Sequence, residues 1–180
     1  SKSFKEKITQ WYISRHLNKL FSCIDKIENS PIIKPKIAQH SQSDLKKTWE
    51  FLELSINPVI LLGSQAVLNP DKIPGIVKAV ESLGIPVFLS GMARGILGKN
   101  HPLQIRHKRK DALRNADWIL LAGVPCDFRL NYGRHLSHKA FFISVNRCKA
   151  DLLKNKKPDF AIHADPALFL SDFAQEAKEL

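Results

Sequence analysis

Short, nearly continuous apolar runs alternate with helical periodicity along most of this chain. None of the runs shows the period-two alternation of a half-exposed strand, and apolar strands of this kind are typical of a parallel sheet covered by helices on both faces. We therefore expect a doubly wound α/β domain with a mainly parallel, six-stranded, Rossmann-like sheet. The apolar runs lie near residues 59–63, 85–90, 118–122, 140–145 and, more weakly, 160–163.

Helical periodicity fills the segments between these runs. Ser43 is the expected N-cap of the helix at residues 44–54, because its side chain can accept a hydrogen bond from the exposed N–H groups. Pro74 suits the first turn of the helix at residues 71–83, and Gly84 suits the C-terminal end of that helix. The expected helices cover residues 44–54, 71–83, 106–115 and 166–178, with a short helical piece at 129–137.

The first part of the chain has a different pattern. Residues 4–27 carry an approximate apolar stripe among basic residues, which predicts a helix with no core of its own. Residues 28–43, which contain two prolines, read as an extended connector. We expect an interdomain linker at residues 1–42 and a Rossmann-like domain at residues 43–180.

Glycines follow three of the apolar runs, at Gly63, Gly91 and Gly123. Carboxyl ends of parallel strands meet at one edge, and ligands bind there beside the topological switch point. Glycine lets backbone approach a ligand, but it also serves tight turns without one, and both interpretations stay open. The candidate binding residues at this edge are Gly63, Ser64, Gln65, Gly91, Met92, Ala93, Arg94, Gly123, Asp127, Arg129 and Asn146.

Several blocks in this order resemble the central domain of thiamine-diphosphate enzymes. They are Leu-Gly-Ser-Gln-Ala at 62–66, Gly-Met-Ala-Arg-Gly-Ile-Leu-Gly at 91–98, Asn-His-Pro-Leu at 100–103, and the segment at 122–134. The likeness is greatest to the acetolactate synthase-like 2-hydroxyacyl-CoA lyases of animals. Residues 11–21 resemble the linker that precedes this domain in those proteins.

The resemblance implies an enzyme that cleaves a carbon–carbon bond of a 2-hydroxyacyl-CoA to give an aldehyde and formyl-CoA. Thiamine diphosphate, held with Mg²⁺ by the N-terminal and C-terminal domains of the same protein, would act as electron sink. This chain would supply scaffold, subunit contacts of a homo-oligomer, and a groove for FAD or for the ADP part of CoA. The resemblance also places the full-length protein at the endoplasmic reticulum membrane, whereas the fragment itself is expected to be soluble.

The Cys-Asp-Phe-Arg block at residues 126–129 is the sharpest candidate for nucleotide contact. Asp127 can accept from ribose hydroxyls, and Arg129 can hold a phosphate through two N–H groups. An intramolecular Asp127–Arg129 ion pair is an equal alternative. Acetolactate synthases have Phe-Asp-Asp-Arg here, and Phe128 in place of the second Asp argues against a bound flavin.

A basic run, Arg-His-Lys-Arg-Lys at residues 106–110, comes next to a His-Pro turn at His101. These cations can contact CoA phosphates, occupy the space of a flavin, or form a solvated face. No catalytic residue and no metal ligand is predicted, because the chain has no nucleophile elbow, Walker loop or His-x-x-x-His pair.

The chain carries a formal net charge of +11, which favours an anionic partner. A stand-alone basic module that binds nucleotides or nucleic acid is the alternative function. The cations extend from Lys2 to Lys178 without gathering near aromatic residues that could stack on bases, so no nucleic-acid partner is expected.

Overall fold

Five parallel strands form the centre of the fold in the computed structural model, which describes residues 3–22 and 36–179. This arrangement confirms the expected doubly wound parallel sheet. Across the sheet, the second strand in sequence lies at one edge, followed by the first, third, fourth and fifth. The strands are β1 (Pro58–Leu62), β2 (Val87–Leu89), β3 (Trp118–Ala122), β4 (Phe141–Asn146) and β5 (Phe160–His163).

The expectation of six strands is wrong, since the described residues form five. Beside the free edge of β2, Gln104 makes only an isolated parallel bridge with Val87. The Val87 N–H donates to Leu103 at 2.8 Å, and the Ile105 N–H donates back to Val87 at 2.9 Å. The Leu103 N–H, which would extend this ladder, donates to His101 Nδ1 at 3.3 Å instead, so the segment stays a single bridge.

Six α-helices form among the described residues, and local signals decide where they begin. Ser41, not the expected Ser43, caps the second helix: its hydroxyl accepts from Asp44 N–H at 3.2 Å, while the Asp44 carboxylate accepts from Ser41 N–H at 2.8 Å. Gly84 ends the third at φ +64°, as expected. The helices are α1 (Phe4–Phe21), α2 (Gln42–Glu53), α3 (Ile73–Leu83), α4 (Arg109–Asn115), α5 (Lys149–Leu152) and α6 (Pro166–Glu179).

Alternate residues of each strand pack on opposite faces of the sheet. Ile60 and Leu62 belong to a core shared with α2, α3 and α6, whereas Val59 and Leu61 pack in a second core with Leu113 of α4. All four strand residues are buried, which explains why the run is apolar at every position. Burial of each such side chain contributes about 1.5 to 3 kcal/mol to folding.

The chain divides into two units, residues 1–35 and residues 36–180. In the first unit, every described residue of α1 is exposed, including Phe4, Trp11 and Phe21. The expected continuation of this helix to residue 27 and the first half of the expected connector, residues 28–35, lie outside the described residues. Residues 36–41 form neither helix nor strand, and residues 42–43 begin α2. The domain boundary after residue 42 stays a prediction. Within the described segments, no helix has both the length and the apolar character needed to cross a membrane.

Candidate functional site

The topological switch point lies between β1 and β3, because β2 flanks β1 on one side and β3, β4 and β5 follow on the other. Ligands of open parallel sheets bind beyond the carboxyl ends at this point. A cavity of about 190 Å³ lies there, and we name it the switch-point groove. Its lining residues are Gly63, Ser64, Gln65, Ser90, Gly123, Val124, Pro125, Arg129 and Asp151.

Two glycines of the groove are required by the close approach of the loops after β1 and β3. A Cβ atom on Gly63 would overlap the side chain of Val124 and the carbonyl of Gly123. Gly123 itself has φ +72°, and a Cβ there would lie 2.7 Å from the backbone nitrogen of Ala66. These positions therefore need glycine for loop packing, whether or not a ligand binds.

Ser64 and Gln65 tie neighbouring loops together at the carboxyl edge. The Ser64 hydroxyl oxygen accepts from Met92 N–H at 3.1 Å. Gln65 accepts from Arg147 N–H at 3.0 Å and donates from Nε2 to the Asp151 carboxylate at 3.2 Å. These bonds fix the loops after β1, β2 and β4 relative to one another, which gives the groove a rigid wall.

Asp127 and Arg129 form the intramolecular ion pair that the sequence left as an alternative. Arg129 Nε lies 3.1 and 3.0 Å from the two carboxylate oxygens, and the Arg129 backbone N–H donates to Oδ1 at 2.9 Å. Hydrogen bonding from Arg129 lowers the pKa of Asp127, against the opposing effect of burial. Arg129 still lines the groove with 43% of its side chain exposed, so its outer face stays available to a ligand.

A larger cavity of about 540 Å³ lies beyond β2, and we name it the basic cleft. Arg94 belongs to this cleft and not to the groove of Gly63–Gln65, which corrects its expected place. Its backbone is extended (φ −60°, ψ 126°) where the short helical turn Gly91–Ala93 ends. The lining residues are Phe88, Leu89, Arg94, Gly95, Gln104, Ile105, Arg106, Arg109, Lys110 and His135.

The cations of the basic cleft are held close together. Arg109 Nη2 donates to the carbonyl oxygen of Arg129 at 2.8 Å, and Arg106 Nη2 donates to the carbonyls of Gly98 and Lys99 at 3.0 and 2.9 Å. Burial lowers the pKa of Arg109, and the charges of Arg94 and Arg129 lower it further. A cleft with such a positive potential favours a polyanion.

His135 adds a titratable group to the cleft wall. Burial is the main cause that lowers its pKa, followed by the charges of Lys110, Arg114 and Arg109. A lower pKa favours the neutral imidazole near pH 7. The permanent positive charge of the cleft therefore comes from its arginines and its lysine.

Five further candidates do not line the groove: Gly91, Met92, Ala93, Asp127 and Asn146. Met92 is 65% exposed at the carboxyl edge, whereas Ala93 is fully buried. Asn146 is also fully buried: its Oδ1 accepts from Cys148 N–H at 3.0 Å, and its Nδ2 has no partner among the described residues. Asn146 therefore shapes the turn after β4 rather than facing the groove.

Among the lining residues that sequence reasoning missed are Ser90 and Asp151 of the groove and His135 of the cleft. Ser90 had a signal, since it directly ends the apolar run of β2. Asp151 lies on α5, a single turn that periodicity does not reveal. His135 reaches the cleft only through the folding of the segment after β3. Lining positions on irregular segments are set by tertiary contacts and leave no periodic signature.

No group of three His, Cys, Asp or Glu side chains in the described part of the chain could hold a metal ion. In these residues, therefore, no cluster of such side chains forms a complete metal site. Cys126 lies beside the groove, but burial raises the pKa of its thiol to about 11. It stays a thiol near neutral pH and packs in the core under α4.

Comparisons with known proteins agree with this architecture. The chain is 45% identical to "2-hydroxyacyl-CoA lyase 2" of Danio rerio over 98% of its length, which is 29% of that protein. It is 38% identical to "Probable acetolactate synthase" of Mycobacterium bovis over 49% of the chain and 16% of that protein. The chain thus spans about three tenths of the length of the Danio rerio protein.

A solved structure shares the fold. The Rhodococcus jostii RHA1 thiamine diphosphate-dependent 4-hydroxybenzoylformate decarboxylase superposes with a TM-score of 0.61 at 20% identity, covering 83% of this chain and 29% of that one. The family described as "Thiamine pyrophosphate enzyme, central domain" matches residues 45–173. The match includes all five strands and both cavities, and the chain belongs to this family of thiamine pyrophosphate enzyme central domains.

Proposed function

We propose that the full-length protein is a thiamine-diphosphate-dependent lyase that cleaves 2-hydroxyacyl-CoA, and that this chain is its central domain. The relative from Danio rerio supports this proposal, because its sequence aligns with 98% of the chain. The acetolactate synthase from Mycobacterium bovis aligns with only 49% of the chain. The thiamine diphosphate and Mg²⁺ sites belong to the flanking N-terminal and C-terminal domains, which are the partners of this chain.

Within that enzyme, the carboxyl edge of this domain holds the adenosine diphosphate part of the CoA substrate. The observation that carries this role is the bond from Arg109 to the Arg129 carbonyl, which joins the basic cleft to the switch-point groove. Ligand cavities typically measure about 300 to 1,000 Å³, and the cleft alone, at about 540 Å³, falls within that range. Arginine guanidinium groups suit phosphate because they offer several N–H donors in one plane.

Other features of the full-length protein are part of the same proposal. They are a homo-oligomeric state and a location at the endoplasmic reticulum membrane, with FAD as the alternative to the ADP part of CoA in the central-domain groove. Phe128, which stands in place of the second Asp of the Phe-Asp-Asp-Arg block, and the arginines of the basic cleft count against FAD. A stand-alone nucleotide-binding or nucleic-acid-binding module is not supported, because the family match spans residues 45–173 and the relatives are much longer than this chain.

Product analysis of the full-length protein tests the activity. With thiamine diphosphate, Mg²⁺ and a 2-hydroxyacyl-CoA, we expect an aldehyde and formyl-CoA in equal amounts. The 180-residue chain alone should give neither product, because under this proposal the thiamine diphosphate and Mg²⁺ sites lie in the flanking domains. Acetolactate formed from pyruvate, with no cleavage of the 2-hydroxyacyl-CoA, would contradict the proposed lyase and favour a synthase.

Direct binding tests the role of the domain separately. Calorimetric titration of the 180-residue chain with CoA, ADP and FAD should give saturable heat with CoA. Absence of heat with all three ligands at millimolar concentration would reduce the groove and the cleft to structural features, even if the full-length protein is a lyase.

A further inference from the structure

The positive charge of the basic cleft has no counter-charge within its walls. Arg94, Arg106, Arg109 and Lys110 line it, and no carboxylate is among its lining residues. None of the salt bridges between described residues includes any of these four cations. The nearby Asp127 carboxylate is already hydrogen-bonded to Arg129. The cleft therefore gathers four cations that have no salt-bridge partner among the described residues, and the charge of Asp127 offsets part of the positive charge at Arg109.

This charge exceeds what a diphosphate bridge alone can neutralise. The bridge in ADP-ribose-like or flavin nucleotides carries about two negative charges, whereas a phosphate monoester adds roughly 1.5 to 2 more near pH 7. CoA has such a monoester at the 3′ position of its ribose, and FAD has none. Four unpaired cations match a nucleotide that carries both the diphosphate and the monoester.

Two of the cations are also held in place before any ligand binds. Arg106 is fixed by the carbonyls of Gly98 and Lys99, and Arg109 by the carbonyl of Arg129. Each of these bonds uses the Nη2 group, and a guanidinium has five N–H donors in all. The remaining donors are thus oriented in advance, which lowers the entropy lost on binding a phosphate.

Resting on the proposed function, we infer that the basic cleft recognises the 3′-phosphate of CoA and makes this domain selective for 3′-phosphorylated adenine nucleotides. Arg106 and Arg109 are the main determinants, with Arg94 and Lys110 as further contacts. The cleft thereby distinguishes CoA from FAD, ADP and dephospho-CoA, which share the adenosine diphosphate unit but lack the 3′-phosphate.

Calorimetry on the 180-residue chain with CoA and dephospho-CoA tests the inference at fixed ionic strength. The unmodified chain should bind CoA at least about tenfold more tightly than dephospho-CoA, the effect of one charge-assisted phosphate contact. Arg109→Ala should bring this ratio close to one while dephospho-CoA binding changes less. Arg94→Ala provides a second variant, since no hydrogen bond of its side chain to another described residue would be lost.

Arg114→Ala is the matched control, because Arg114 is an exposed arginine on the same helix but does not line the cleft. An equal loss of selectivity in this control would show diffuse electrostatics and overturn the inference. Equal affinity of the unmodified chain for CoA and dephospho-CoA would also overturn it, while leaving the nucleotide-binding role intact. Failure of both nucleotides to bind would remove that role together with the inference.

Discussion

Arg109 on α4 donates a hydrogen bond to the carbonyl oxygen of Arg129, which lies in the turn after β3, over a distance of 2.8 Å. This bond makes the wall of the basic cleft continuous with that of the switch-point groove. It also brings two guanidinium groups close enough for the charge of Arg129 to lower the pKa of Arg109. A single anionic ligand that spans both cavities would relieve this repulsion.

Replacement of Gly63 by Ala should destabilise the domain, because the new Cβ would overlap the Val124 side chain and the Gly123 carbonyl. We expect a loss of about 1 to 3 kcal/mol in the free energy of unfolding, measured by urea denaturation. Gly84→Ala is the control: its φ is +64° but nothing lies within 4 Å, so only backbone strain applies, at roughly 1 kcal/mol. A smaller loss for Gly63→Ala than for Gly84→Ala would contradict the close packing of the loops.

Leu121→Ala should destabilise the domain by about 2 to 5 kcal/mol, since Leu121 is fully buried in the core under α4 and its truncation leaves a cavity. Leu54→Ala is the matched control, because Leu54 is 81% exposed and should change stability by less than about 0.5 kcal/mol. The free energy of unfolding of each variant is to be measured by urea denaturation, and the m-value should stay the same. Similar losses for the two variants would be incompatible with this core.

Acidification should weaken the contribution of the Asp127–Arg129 pair. Hydrogen bonding from Arg129 lowers the pKa of Asp127 in the folded state below that of the unfolded chain, which is about 3.9. The pair therefore stabilises the fold at pH values above 4, and this stabilisation is lost as the pH falls through the folded pKa. Urea denaturation should show Asp127→Asn less stable than the unmodified chain at pH 7, with a smaller difference below pH 4. A difference that stays constant down to pH 3 would contradict the pair.

The strands could be predicted from sequence because they are buried on both faces. Ile119 and Leu120 pack in different cores, yet both are fully buried, so the apolar run is continuous and marks β3. The glycines after β1 and β3 likewise marked the edge where the groove lies. The expected sixth strand was not tied to any apolar run, and residues 103–105 add only one bridge beside β2.

The cleft could be predicted only in part. The basic run at 106–110 was visible, but its meeting with Arg94 and His135 depends on the path of an irregular segment, including a left-handed turn at Lys108 (φ 53°) that leads into α4. The Asp127–Arg129 spacing allowed both a ligand contact and an internal pair. The internal pair forms because two residues so close in sequence meet with little loss of chain entropy.

The most direct test of the account is the Michaelis constant of the full-length enzyme for 2-hydroxyacyl-CoA after Arg109→Ala. Arg109 contacts the nucleotide end of the substrate in this account and lies away from the chemistry, so its loss removes binding that is equal in the ground and transition states. We predict that KM rises about 10- to 100-fold while kcat changes less than about twofold, with Arg114→Ala close to the unmodified enzyme. An unchanged KM, or a fall in kcat at constant KM, would contradict a role of this domain in holding the CoA nucleotide.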